Sequence, residues 1–172
     1  MTRRGEKTRK PHKDELRTGE ESVWDYPRPP RLERSPKRAE VYFAGERIAD
    51  SRRAVRILET SHPPVFYIPE GDVRTALLTR TEQRSFCEFK GGAVYWTLLL
   101  NGQTAQNAAW SYPKPTKGFE AIQDYLAFYP SRVEACLVDG ERVQAQAGDF
   151  YGGWLTAEIK GPFKGEPGTW GW

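Results

Sequence analysis

Cysteine, methionine and histidine are scarce, with two, one and two copies in 172 residues. Cys87 and Cys136 stand alone, and one of the two histidines lies in the charged amino-terminal stretch. None of them has the paired spacing that structural zinc requires, so neither a metal nor another cofactor is expected. The chain is long enough to build a core without disulfide staples. Apolar runs are short, and none approaches the roughly 20 residues of a membrane span. The amino terminus is polar and has no apolar leader segment, which makes the cytoplasm the expected compartment and leaves no membrane partner. Phosphate-binding fingerprints are missing too: there is neither a Gly-x-Gly-x-x-Gly turn nor a Walker-type loop. Ser51 and Ser131 lack the strand-turn-helix context of a hydrolase nucleophile.

What is present is aromatic and turn-rich. Six Trp, 16 Gly and 13 Pro suit many short strands joined by tight reversals, and they count against long helices. Charge is uneven, because residues 1–40 hold twelve Lys or Arg against eight Asp or Glu while the remainder is close to balance. A nucleic-acid reader would carry its basic stripe on the folded face, so nucleic acid is not the expected partner. Residues 1–21 are charged and lack apolar periodicity, which predicts a disordered basic arm. Residues 22–40 form a proline-rich strap in which Trp24 and Tyr26 are placed to dock onto the domain at 41–172; capture of a partner protein is the rival reading.

Three hairpins are expected, across Ala44-Gly45, Asn101-Gly102 and Asp139-Gly140, each flanked by strand-forming residues. Two short helices are expected, one over 71–78 after Pro69 and one after Thr116 with Phe119, Ile122 and Leu126 on a shared face. The alternation of Arg53, Val55, Ile57 and Glu59 reads as a strand. The ending from Phe150 to Trp172 mixes glycine with tryptophan, so it is expected to wrap and pack, with loss of stability when 169–172 are removed.

Taking Asn101-Gly102 as a two-residue loop pairs Trp96 with Asn107 and Ala93 with Trp110. Val94, Trp96, Leu98 and Leu100 then face the core, while Tyr95 and Trp110 become diagonal neighbours beside Ala93 and Ala108. Such a platform can receive a packed helix or a flat ligand. Glu59 and Arg53 share a face and either pair structurally or place Glu59 at a pocket rim beside His62. Cys87 and Lys90 are three apart, which on one strand puts them on opposite sides. Cys87 then reads as a buried thiol in preference to a nucleophile, and Lys90 before Gly91-Gly92 either as a cation open to a carboxylate or phosphate or as a solvated lysine.

Several segments taken together, Leu58-Glu-Thr-Ser-His-Pro-Pro-Val-Phe-Tyr-Ile-Pro69, Cys87-Glu-Phe-Lys-Gly91, Asn107-Ala-Ala-Trp-Ser-Tyr-Pro113, Phe128-Tyr-Pro-Ser-Arg-Val133 and Phe150-Tyr-Gly-Gly-Trp154, resemble domain-of-unknown-function family 427. The resemblance spans about Val23 to Trp172. It implies a mainly β, β-tent-like fold in which two antiparallel sheets meet at an angle around a pocket. Relatives of that fold often hold zinc through paired cysteines, which this chain lacks. The family is also described as nucleotidyltransferase-like, and Asp139-Gly140-Glu141 has the spacing of a magnesium-holding acidic pair, although there is no Gly-Ser turn. The pocket implied by the resemblance involves Glu59, Tyr67, Lys90, Tyr95, Trp110 and Tyr112.

The expected function is therefore binding of an unidentified small molecule, flat and partly polar or anionic. Trp110, Tyr95 and Tyr112 would supply walls, Lys90 a cation and Glu59 an acceptor. If the faces of Lys90 and Trp110 are open, alanine at either position should leave folding intact. A transfer enzyme using Glu59 with His62 or Lys90 is one alternative, and a protein-interaction module using the strap is another. Oligomeric state is left open.

Overall fold

The computed structural model describes residues 16–148, 150–169, 171 and 172. In chain order the strands are β1 (Glu21–Ser22), β2 (Arg31–Arg34), β3 (Ala39–Phe43), β4 (Glu46–Ser51), β5 (Val55–Leu58), β6 (Val65–Tyr67), β7 (Leu78–Cys87) and β8 (Gly91–Leu100). They continue with β9 (Gln103–Ser111), β10 (Ala127–Phe128), β11 (Ala135–Val138), β12 (Glu141–Arg142), β13 (Gln144–Ala145), β14 (Trp154–Leu155) and β15 (Ile159–Lys160). Two antiparallel sheets have four strands each, ordered β10-β9-β8-β7 and β12-β11-β3-β4. A three-stranded antiparallel sheet, β2-β5-β6, and two strand pairs complete the molecule, so the expected pair of sheets is divided into five.

The three hairpins form at the expected dipeptides. Ala44-Gly45, Asn101-Gly102 and Asp139-Gly140 all have positive φ, the twist that matches two-residue connections to right-handed strands. The Asn101 amide also donates to the Ala44 carbonyl and to Glu46, both at 3.1 Å, and so ties the tips of two hairpins together.

The two short helices do not form; both segments contain only 3-10 turns. Over 70–77 the turns are Glu70–Asp72 and Thr75–Leu77. The residues between them are claimed by β4, because Val73 bridges to Ala49 and the Arg74 amide donates to the Ile48 carbonyl at 2.8 Å. After Thr116 there is one turn, Glu120–Ile122. The Thr116 hydroxyl donates to the Phe89 carbonyl instead of capping, and Asp124 at φ 60° stops helical propagation. Phe119, Ile122 and Leu126 are nonetheless all buried.

Burial separates into layers. Val41, Ile48, Phe66, Leu98, Phe128 and Trp154 belong to the core between the four-stranded sheets, where Phe66 and Trp154 stack with centroids 4.9 Å apart. A second cluster joins Val55, Ile57 and Tyr67 to Tyr95, Trp110 and Ile122. The strap closes a third, small cluster of Val23, Tyr26, Leu58 and Ile159. The Trp24 indole donates to the Pro162 carbonyl at 2.9 Å and meets Trp172 edge-on at 5.0 Å, so these aromatics dock within the chain. The arm expected over 1–21 lies outside the described residues as far as residue 15, whereas Glu21 and Ser22 pair in parallel with Ile159 and Lys160.

The β8–β9 register changes partway along the ladder. Leu100 faces Gln103 and Leu98 faces Ala105 as expected, but beyond a bulge Trp96 faces Ala109 and Tyr95 faces Trp110. Asn107, at φ 48°, is the distorted residue; its amide bonds the Thr97 hydroxyl at 3.1 Å, and its carbonyl accepts from Arg132 at 2.7 Å. Trp110 is thus directly opposite Tyr95 and no longer diagonal to it.

Candidate functional site

Glu59, Tyr67, Lys90, Tyr95, Trp110 and Tyr112 all line one cleft of about 300 Å³. Neighbouring elements bring them together. Glu59 follows β5, Tyr67 ends β6, Lys90 occupies the turn into β8, and Tyr95 pairs with Trp110 across β8–β9 just before Tyr112. Arg53 is elsewhere, exposed and bonded to Asp72 at 2.9 Å. The expectation that Cys87 and Lys90 lie on opposite sides also fails. Strand β7 stops at Cys87, and the turn through Phe89 returns Lys90 to the same cleft.

The aromatic floor is tied by hydrogen bonds and ring contacts. The Trp110 indole donates to the Tyr67 hydroxyl at 3.2 Å, and Trp110 lies 4.5 Å from the Tyr129 ring. The Tyr95 hydroxyl is held by Ser85 at 2.8 Å. Burial raises the Tyr67, Tyr112 and Tyr129 phenols well above their ordinary range, so they act as neutral hydrogen-bonding groups. Trp110 is only 7% exposed, and a Cβ at Gly152 would lie 2.1 Å from its ring. Trp110 therefore supports the cleft from within the core, and the condition of an open face, on which an intact fold after Trp110→Ala depended, is not met.

Charge is arranged unequally along the cleft. Burial would raise the Glu59 carboxyl, but the contact with the His62 ring and the nearby charges of Lys90 and Arg28 outweigh it and hold the group below the usual glutamate range. Glu59 Oε2 lies 3.4 Å from His62 Nε2 and 3.8 Å from Arg28 Nε. Lys90 Nζ sits 5.9 Å from the centre of the Tyr112 ring and makes no hydrogen bond or salt bridge with the described residues. Phe86 and Phe150 also border the cleft and are 77% and 67% exposed, placing apolar surface at its rim.

Asp139 and Glu141, the acidic pair at the β11–β12 turn, are outside this cleft. Asp139 accepts from the Arg38 amide and Glu141 from the Ala157 amide, each at 2.7 Å. Sequence reasoning missed Arg28, Tyr129, Gln146 and Gly152. The doubled glycine between Tyr151 and Trp154 was a signal for close backbone approach, whereas nothing local marked Gln146.

The family model described as "Domain of unknown function (DUF427)" matches residues 31–139. No curated protein matches the chain. Glu59, Tyr67, Lys90, Tyr95, Trp110 and Tyr112 all fall within the matched segment, and the chain belongs to the DUF427 family.

Proposed function

We propose that the chain binds a small, flat anion in this cleft, with the aromatic residues forming its floor and Lys90 receiving the negative group. The observation that carries this reading is the Lys90 ammonium, which lies over Tyr112 and makes no hydrogen bond or salt bridge with the described residues. Glu59 does not neutralise it fully, since Arg28 and His62 already engage that carboxylate. A volume of about 300 Å³ is at the lower end for ligand sites and suits a molecule of one or two rings. The exposed rings of Phe86 and Phe150 offer apolar contact to the part that protrudes. A β-tent-like arrangement belongs to this proposal: Tyr67 from β2-β5-β6 and Tyr95 from β10-β9-β8-β7 supply walls from two sheets.

Benzoate and its neutral analogue benzamide provide the test, followed by tryptophan fluorescence. Benzoate should bind more tightly than benzamide, and Lys90→Met should weaken benzoate roughly tenfold or more, the value of a charge-assisted hydrogen bond. Equal binding of the two probes, or unchanged benzoate binding in K90M, rejects the anion site.

A further inference from the structure

The hydrogen bonds behind Glu59 have a direction that main-chain groups determine. Gln146 is buried, and its side-chain amide meets three partners. The Gly153 N–H can only donate, so at 3.3 Å it identifies the atom it faces as Oε1. The Lys164 carbonyl can only accept, so at 2.7 Å it faces the Nε2 amino group. The second Nε2 proton then points at His62 Nδ1, 3.1 Å away. Two protons cannot occupy that contact, so Nδ1 is the acceptor and the imidazole proton resides on Nε2, the nitrogen 3.4 Å from Glu59 Oε2.

We infer that Gln146 is a positioning residue that holds His62 as its Nε2–H tautomer, making Glu59 the acceptor presented to a ligand that carries an N–H or O–H donor besides its anionic group. His62 keeps its Nε2 proton, 3.4 Å from the Glu59 carboxylate, and has its Nδ1 lone pair engaged by Gln146, so it is not a base toward the cleft. Arg28 is the cation beside Oε2, at 3.8 Å, and the donor of the ligand would take the other carboxylate oxygen. The tautomer stands on the protein's own hydrogen bonds; the ligand class rests on the binding reading given above.

The chain has two histidines, so His12→Gln leaves one imidazole to observe. Long-range proton–nitrogen NMR of ligand-free H12Q protein at mildly alkaline pH should show a pyridine-type Nδ1 and a pyrrole-type Nε2. Gln146→Glu replaces the donor with an acceptor and should convert Nδ1 to the pyrrole type. Should that variant not fold, Gln146→Met removes the donor, and the two nitrogen shifts should move toward each other. A pyridine-type Nε2 in the parent, or an unaltered pattern in a folded Gln146 variant, overturns the tautomer assignment.

The ligand class is tested with benzoate and its three hydroxy isomers. At least one isomer should bind roughly threefold to tenfold more tightly than benzoate, and the gain should vanish in Glu59→Leu. If benzoate binds but no isomer gains, the donor requirement falls. If benzoate itself does not bind, the anion reading fails while the tautomer measurement stands.

Discussion

Within one cleft, Trp110 lies under Gly152 with 7% of its surface exposed, whereas the Lys90 ammonium makes no hydrogen bond or salt bridge with the described residues. Substitutions at these residues should therefore separate folding from binding. Trp110→Ala empties part of a packed cluster and should cost about 3–5 kcal/mol in denaturant unfolding. Gly152→Ala drives a methyl group against the same indole and should cost at least about 1–3 kcal/mol unless the backbone moves. Lys90→Met should change stability by no more than about 0.5 kcal/mol while weakening benzoate. The sequence made Lys90 legible because Gly91-Gly92 marked a turn beside a cation. It could not reveal the burial of Trp110, because Gly152, distant in sequence, lies against its ring.

Elements were legible where the chemistry is local. Asn-Gly and Asp-Gly supply left-handed conformations by themselves, and all three expected reversals appear at the residues read. The two helices failed because hydrogen bonds to distant strands outcompeted a weak local preference, as the Arg74 amide on the Ile48 carbonyl demonstrates. The β9 bulge was equally hidden, since Asn107 is distorted by contacts with Thr97 and Arg132 that no short window contains.

Docking of the strap has a pH dependence set by Glu21, the residue just before it, which accepts from the Tyr26 hydroxyl. Burial would raise the Glu21 carboxyl, but hydrogen bonds from Arg56 and Tyr26 more than compensate and hold it below the usual range. A carboxyl depressed in the folded state contributes stability above its unfolded pKa and loses that contribution as pH falls through the folded value. Acidification below about pH 4.5 should thus weaken strap docking, read as a fall in melting temperature and a change in Trp24 fluorescence. Glu21→Gln should flatten that part of the pH profile.

At the scale of the whole molecule, the second aromatic cluster joins the three-stranded sheet to β8 and β9, which puts residues separated in sequence around one cleft. Composition pointed to a mainly β chain, but not to the division into five sheets, because the short pairs β1–β15 and β13–β14 depend on contacts between distant segments. Removal of 169–172 tests the ending directly. Trp172 packs on Trp24, and the Thr169 hydroxyl joins the Gly165 amide to the Glu166 carbonyl. The truncated chain should melt several degrees lower, at about 2–4 °C per kcal/mol lost for a domain of this size.

The Trp24–Pro162 bond spans 138 residues of chain. During synthesis, the residues of the strap therefore leave the ribosome well before the segment that receives them. Val23 and Tyr26 can meet Leu58 early, but Trp24 stays an exposed apolar surface until Pro162 and Trp172 have been made.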